Sequence, residues 1–396
     1  MESLANLKNI RFYLPTRVIF GEETVNEIGQ EAIRLGKKAL LVTGRESMRK
    51  LGITSRVEGL LIDSGVKVVI YEKVEPEPSI QTVNEGGMLA RSENCDLIIG
   101  LGGGSVLDAS KGIAVITTQE GSITEAIESK DKNQFFAKRK ILPVLAIPTT
   151  SGTGSEVTPF ALFTDKKERR KKPLGHPVLY PKCAIIDPDL MMGMSPKLAA
   201  ITGIDALGHA VEAYISRNAN FLSDMFAKEA IHLISENLLR AIRDRGDREA
   251  QKNMALASTL AGIANAQAGT VAGHAMAVAL GGYLGISHGI AVGLFLPFVL
   301  DLNKSVCPDK IAQVTKMFIK DTQEISINER IKKCVEIFQT FVRDSGLPTH
   351  LEMKIDEDQI MRIAKDAFTK PAMSYNPAEL KLSDVVAVIK NVFSKT

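Results

Sequence analysis

The first half of the chain alternates short runs of Val, Ile and Leu with longer amphipathic stretches, whereas the second half contains only the latter. KKALLVTG at 37–44, VKVVIYEKV at 66–74, DLIIGLGG at 96–103 and ILPVLAIPTT at 141–150 are apolar on consecutive residues rather than on every second one. Such strands need cover on both faces, as in a parallel sheet layered between helices. The intervening SMRKLGITSRVEGLLIDSG, SIQTVNEGGMLARSENC and LDASKGIAVITT have the periodicity of helices that supply this cover. After Ile186 no comparable strand follows. PKLAAITGIDALGHAVEAYIS, LSDMFAKEAIHLISENLLRAIRD and EAQKNMALASTLAGIANAQAG are long and helix-periodic, and several later segments begin with Asp or Ser caps. The expected architecture is an α/β domain over 1–190, Rossmann-like with a parallel sheet and helices on both faces, followed by an all-α domain over 191–396.

A chain of 396 residues is long enough for two such cores. With a net charge of +3 and no basic face interleaved with aromatics, nothing points to nucleic acid. Cys95, Cys183, Cys307 and Cys334 are scattered without C-x-x-C spacing and read as thiols of a reducing compartment. MESLANLKNIRFYLP lacks the basic and apolar regions of a secretory signal. The apolar stretch from Met254 to Leu300 is interrupted by Asn265, Gln267, His274 and His288, which fits closely packed Ala/Gly-rich helices better than a membrane span. A cytoplasmic location is expected. The charge run DKKERRKK at 165–172 reads as a solvated loop, with one lysine able to reach a ligand.

Two kinds of chemistry stand out. Asp205 and His209 are four residues apart in ITGIDALGHAVEAY, so a helix projects both from one face. His274 and His288 follow in HAMAVALGGYLGISHG, where glycines let the chain turn back. A carboxylate with imidazoles suits a borderline divalent ion such as Fe²⁺ or Zn²⁺, while Ca²⁺ and Mg²⁺ want oxygen. A single histidine on an apolar helix is ordinarily a core or surface residue; it is the pairing that points to a centre. Separately, Gly102, Gly103, Gly104 and Ser105 lie between a strand and a helix, where bare backbone and a helix N-terminus can receive phosphate, with Asp108 in the following turn. IPTTSGTGSEVTPF sets Thr149, Thr150, Ser151, Thr153, Ser155 and Thr158 around two glycines at another strand end, where open α/β sheets bind ligands.

LGGGSVLDASKG, PTTSGTGSEVT, DPDL, GIDALGHAVEAY and HAMAVALGGYLGISHG, in this order, resemble the iron-containing (group III) alcohol dehydrogenases. RVIFGEE and Asn376–Pro377 also fit, so the resemblance spans nearly the whole chain. It implies the dehydroquinate synthase-like superfold, a metal in the cleft between the domains, and reversible hydride transfer between a small primary alcohol or diol and its aldehyde. The implied ligands of Fe²⁺, or of Zn²⁺, are Asp205, His209, His274 and His288, which also carry the catalysis. Gly102 to Ser105 correspond to the pyrophosphate loop, Thr149 and Thr150 to a second cofactor loop, and Lys171 to a lysine that reaches the cofactor. A homodimer or larger homo-oligomer is implied, with IRFYLPTRVIF as a candidate edge strand.

Three features depart from the commoner family pattern: Val278 stands where members usually have a second His after His274, and Pro159 and FTKPAMSYNP also differ. Val278 leaves open an alternative of another class, a metal- and dinucleotide-binding paralogue whose catalysis has decayed. For the cofactor, the strand end Gly44–Arg45 carries no acid for a ribose 2′-OH, and NAD-preferring members tend to have Asp at the Gly44 position. Arg45 could pair with a 2′-phosphate, which favours NADP(H) over NAD(H).

Overall fold

The computed structural model describes residues 10–119, 121–168, 170–319 and 325–393. Its contacts cluster into two compact units, one of Leu14–Met194 and one that runs from Ser195 onward and includes the described residues before Leu14.

The first unit is built on β1 (Arg17–Phe20), β2 (Lys38–Gly44), β3 (Lys67–Val74), β4 (Leu97–Gly102), β5 (Val144–Pro148), β6 (Phe160–Asp165), β7 (Arg170–Gly175) and β8 (Cys183–Ile186). Six of these form one sheet in the order β1-β8-β5-β4-β2-β3, and all its pairings are parallel. Its helices are α1 (Ile28–Leu35), α2 (Ser47–Lys50), α3 (Ile53–Asp63), α4 (Ile80–Ser92), α5 (Gly104–Thr117), α6 (Ile123–Glu128) and α7 (Lys132–Ala137). Leu40, Val42 and Ile98 belong to one apolar cluster, while Ala39, Leu41, Leu97, Ile99 and Leu101 belong to another. Successive residues of β2 and β4 thus alternate between two buried faces, which is why these strands are apolar without interruption.

The sheet order reverses beside β4: the chain leaves β2 for β3 on one side and leaves β4 for β5 on the other. The C-terminal ends of β2 and β4, at Gly44 and Gly102, therefore flank the switch point where open α/β sheets accept ligands.

Two local expectations need correction. The helix expected from Ser47 onward is broken into α2 and α3 at Gly52, whose φ of +72° costs a side chain-bearing residue dearly. The charge run at 165–172 is not a simple loop. Together with its flanks it folds into an antiparallel hairpin of β6 and β7, with Thr164 opposite Lys171 and Phe163 opposite Lys172. Neighbouring carboxylates make a strand of lysines tolerable: Lys172 pairs with Glu128, Asp165 and Glu168 at 3.0–3.1 Å.

The second unit contains α8 (Pro196–Ile215), α9 (Phe221–Arg243), α10 (Arg248–Ala268), α11 (Ala272–Leu284), α12 (His288–Asn303), α13 (Pro308–Met317), α14 (Ile327–Asp344), α15 (Glu357–Phe368), α16 (Pro371–Ser374) and α17 (Leu382–Asn391). Its core is one cluster of Ala, Val, Ile and Leu with Phe295, Phe338 and Phe341. No described helix is long and apolar enough to cross a membrane. The α/β unit and the mostly helical unit agree with the expected fold class.

Candidate metal centre and cofactor loops

α8, α11 and α12 meet where their backbones lack side chains. A Cβ on Gly208 would lie 2.3 Å from Val292 Cγ1 and 3.1 Å from His274 Cε1. A Cβ on Gly289 would lie 2.1 Å from the Ile201 carbonyl oxygen. These approaches set Asp205 and His209 of α8 against His274 in the first turn of α11 and His288 at the start of α12. One ligand atom from each of Asp205, His209 and His274 falls within 4.8 Å of the others. His288 stands outside that set, but its Nε2 is 3.6 Å from Asp205 Oδ1. The His209 and His274 rings stack with centroids 4.5 Å apart, and those of His274 and His288 are 5.4 Å apart.

Asp205 and His274 are only 4 % and 6 % exposed. Asp205 Oδ1 and His274 Nε2 lie 3.7 Å apart, and neither has a hydrogen bond among the described residues. A buried carboxylate oxygen and imidazole nitrogen left in this state are costly unless a cation lies between them. Burial pushes the Asp205 carboxyl up, but the neighbouring His209, His288 and His274 outweigh it and hold the group far below the ordinary carboxylate range. Burial lowers His274, yet Glu212 and Asp205 overcome this and raise it to about 10. The donor set of one carboxylate and imidazoles fits Fe²⁺ or Zn²⁺.

The loops that follow β4 and β5 pack on each other. A Cβ on Gly103 would meet Thr150 Oγ1 at 3.1 Å, and one on Gly104 would meet Thr153 Cγ2 at 2.5 Å. Thr149 N–H donates to Gly102 O at 3.0 Å, extending the sheet pairing into the loops. Among the described residues no side chain caps α5, whose N-cap is Gly103. Its first turn is therefore open to an anion. Ser151 is turned elsewhere, with its hydroxyl 3.0 Å from Met191 sulfur.

Asp108 and Ser155, expected at the cofactor, are engaged with the protein. Ser155 Oγ donates to Asp108 Oδ1 at 2.6 Å, and Leu162 N–H donates to Asp108 Oδ2 at 2.9 Å. Sequence reasoning missed the residue that completes this knot. Lys111 is fully buried and donates to Ser155 Oγ at 2.7 Å, Thr158 Oγ1 at 3.3 Å and Phe160 O at 2.6 Å. Asp108 and Lys111, one turn apart on α5, thereby hold the 149–158 loop. The usable signal was a carboxylate and an ammonium at i, i+3 in a helix otherwise destined for the core.

Lys171 is 4 % exposed, and its ammonium lies 2.5 Å from Glu77 Oε1. Glu77 itself has a φ of +56° between Pro76 and Pro78, and its N–H donates to Ser105 Oγ at 3.0 Å. A non-glycine residue in that region is strained, and here the strain delivers a carboxylate to Lys171 beside the glycine loop. Arg45 lines a recess of about 370 Å³ with Glu72, Lys73, Glu75, Thr82 and Lys166.

Comparison with known proteins identifies the family of the chain. The iron-containing alcohol dehydrogenase family matches residues 15–188, and the C-terminal region of the Fe-containing alcohol dehydrogenase family matches residues 199–393. A choline dehydrogenase of Bacillus subtilis (strain 168) is 36% identical over 97% of this chain and 95% of its own length. An NAD-dependent methanol dehydrogenase of Bacillus methanolicus is 30% identical, over 96% of this chain and 99% of its own. An NADPH-dependent butanol dehydrogenase of Clostridium saccharobutylicum is 33% identical, over 98% and 99%. The crystal structure of a 1,3-propanediol oxidoreductase, 33% identical, superposes with a TM-score of 0.90 over 98% of this chain and 100% of that one. Two family matches in tandem, full-length relatives and a shared fold make this chain a member of the iron-containing alcohol dehydrogenases.

Proposed function

We propose that this alcohol dehydrogenase interconverts a primary alcohol or diol and its aldehyde, with a divalent ion held by Asp205, His209, His274 and His288 and with NADP(H) as the preferred nicotinamide. The observation that carries the reading is the convergence of Asp205, His209 and His274 within 4.8 Å, with Asp205 Oδ1 and His274 Nε2 buried and not hydrogen-bonded among the described residues. Polarisation of the substrate oxygen by a Lewis acid is the chemistry such an ion supplies when bound, and hydride transfer is the cofactor's own. The protein's part is to hold, orient and exclude. Asp205 supplies the negative charge that favours a cation, and the stacked His209 and His274 fix the directions of their nitrogens. Gly102 to Ser105 and the open first turn of α5 would receive the pyrophosphate, with Gly44, Thr149, Thr150 and Thr153 lining the same strand ends. Asp108, Ser155 and Lys111 would keep that loop in shape, and Lys171 would be aimed by Glu77.

The preference for NADP(H) rests on Gly44 and Arg45. The end of β2 offers a guanidinium and no carboxylate, and the three carboxylates of the recess already have partners: Glu72 pairs with Arg49 at 2.6 Å, Glu75 accepts from Thr82 Oγ1 at 2.7 Å and Lys166 at 3.2 Å, and Glu85 accepts from Gln81 at 2.9 Å. Fe²⁺ would be the favoured ion and Zn²⁺ the alternative for these four ligands, and either would supply a Lewis acid for the substrate oxygen.

The test combines metal analysis with NADPH and NADH oxidation over a panel of aldehydes, for wild type and His274→Ala. Wild-type turnover that needs Fe²⁺ or Zn²⁺, runs better with NADPH and disappears with the ion in His274→Ala is expected. Turnover by metal-free His274→Ala would overturn the assignment. A second reading, binding without turnover, is motivated by Val278, which follows His274 by one turn of α11 and carries no proton-relaying group. Tight NADPH binding with no oxidation by any aldehyde would favour it.

A further inference from the structure

The face of α8 that carries Asp205 and His209 also bears a fully buried carboxylate. Glu212 follows Asp205 by seven residues, two helical turns on, and is 0 % exposed. Its two oxygens receive three donors. Oε1 lies 2.8 Å from His274 Nδ1, while Oε2 accepts the Val271 N–H at 2.7 Å and the His274 N–H at 3.2 Å. Val271 is the N-cap of α11 and His274 its third residue, and among the described residues no side-chain cap comes from Val271 itself. A carboxylate from α8 thus caps α11 and, through its other oxygen, grips the imidazole that α11 carries.

From this geometry we infer that Glu212 is the positioning residue of the metal centre: it fixes His274 as the Nδ1–H tautomer, so that Nε2 carries the lone pair facing Asp205, and it ties that tautomer to the register of α11. The inference rests on the metal reading above. A carboxylate only accepts, so the 2.8 Å contact requires a proton on Nδ1. In a neutral ring the free electron pair is then on Nε2, the atom 3.7 Å from Asp205 Oδ1. Outer-shell carboxylates of this kind orient ligating imidazoles and raise their basicity. The sequence makes room for it. A Cβ on Gly273 would lie 2.4 Å from Glu212 Oε1, so the residue before His274 must be bare for the carboxylate to approach. The charges also close: two buried carboxylates, three neutral imidazoles and one divalent ion sum to zero.

Glu212→Gln is the discriminating change, because an amide cannot accept at both ends. If its oxygen faces the two backbone N–H groups, its NH₂ faces Nδ1 and drives the ring to the wrong tautomer. If it flips, the NH₂ opposes two donors. Zinc affinity measured by competition with a chromogenic chelator should fall about 10–100-fold, the usual effect of losing such a partner, while far-UV circular dichroism stays that of the wild type. In zinc-loaded wild type labelled with ¹⁵N-histidine, His274 should carry its proton on Nδ1. This second measurement decides the matter if the variant does not fold. Equal zinc affinity in folded Glu212→Gln, or a His274 protonated at Nε2, overturns the assignment to Glu212 alone. A wild type that takes up no zinc and no Fe²⁺ overturns the metal reading, and this one with it.

Discussion

Gly289→Ala tests whether the close approach of α8 and α12 builds the metal centre. A Cβ at this position would lie 2.1 Å from the Ile201 carbonyl oxygen and 2.9 Å from Ile201 Cγ2. The carbonyl belongs to the α8 backbone and cannot rotate aside, so the helices must part. Opening the contact to 3.4 Å, where ordinary packing begins, takes a shift of 1.3 Å. His288 is the adjacent residue, and Asp205, one turn beyond Ile201, lies 3.6 Å from its Nε2. The shift exceeds the roughly 0.5 Å within which a functional constellation must be held. A misplacement of about 1 Å costs on the order of 10² in rate. Overpacking costs about 1–3 kcal/mol, against which replacing a helical glycine returns at most about 1 kcal/mol. The variant should therefore melt below wild type, retain less metal after dialysis and turn over about a hundredfold more slowly. Gly59→Ala is the control: on α3 its Cβ would meet nothing within 4 Å, so stability should hold or rise slightly. Full metal content with wild-type turnover in Gly289→Ala would refute the reasoning, since the ligands would then be placed by something other than this contact.

Gly44→Asp should convert cofactor preference, because its Cβ would meet only Val74 O at 3.8 Å and the new carboxylate would repel a 2′-phosphate. The KM for NADPH should rise at least about tenfold, an electrostatic cost near 1.4 kcal/mol, while that for NADH falls or holds; an unchanged NADPH/NADH ratio would remove Gly44–Arg45 from the cofactor site. Lys111→Met strips the half-buried Asp108 carboxylate of a counter-charge 3.8 Å away and Ser155, Thr158 and Phe160 of their donor, a loss below the about 3–5 kcal/mol of a fully buried pair. Urea unfolding and NADPH titration should both show the loss, and wild-type values in both would deny that Lys111 holds the 149–158 loop. Burial raises the Glu75 carboxyl, but hydrogen bonds from Thr82 and Ser79 and the Lys166 ammonium outweigh it and hold the group at about 2, below its ordinary 4.5. Its folded-state value being the lower one, its stabilisation is complete above pH 4.5 and is lost as pH falls to 2. Denaturation curves across that window should be flatter for Glu75→Gln than for wild type, and coincident curves would count against the assignment.

Much of the α/β unit could be read from its sequence because its strands are buried on both sides. Leu40 and Leu41 fall in different apolar clusters, so no polar residue interrupts β2 and the run announces itself. β6 and β7 were hidden for the opposite reason. In Arg170–Gly175 charged residues occupy successive positions on both faces, and only the partners Glu77, Asp165, Glu128 and Glu168, some of them far off in sequence, make the strand tenable. The pairing of β1 with β8 joins Arg17 to Cys183, a separation that local pattern does not encode. The same limit hid Lys111. Its helix gives the correct i, i+3 partner, Asp108, but the acceptors on Ser155, Thr158 and Phe160 belong to a loop whose place is set by the sheet.

At the metal centre the residue types were legible and the distances were not, because the distances are set by glycines. Each motif with a candidate ligand contains one: Gly208 before His209, Gly273 before His274, Gly289 after His288. Read locally they suggest loose or broken helix, since glycine lowers helix stability by about 1 kcal/mol. In the folded chain none of the three has a positive φ, so backbone freedom is not their use. Each faces an atom of another helix that a Cβ would strike: Val292 Cγ1 at 2.3 Å, Glu212 Oε1 at 2.4 Å and Ile201 O at 2.1 Å. The imidazoles and the carboxylate announce the chemistry, and the glycines beside them bring three helices close enough for it. A histidine flanked by glycine on an otherwise apolar helix is therefore better evidence of a built centre than the histidine alone, because the helix gives up packing and stability there for the approach of a specific neighbour.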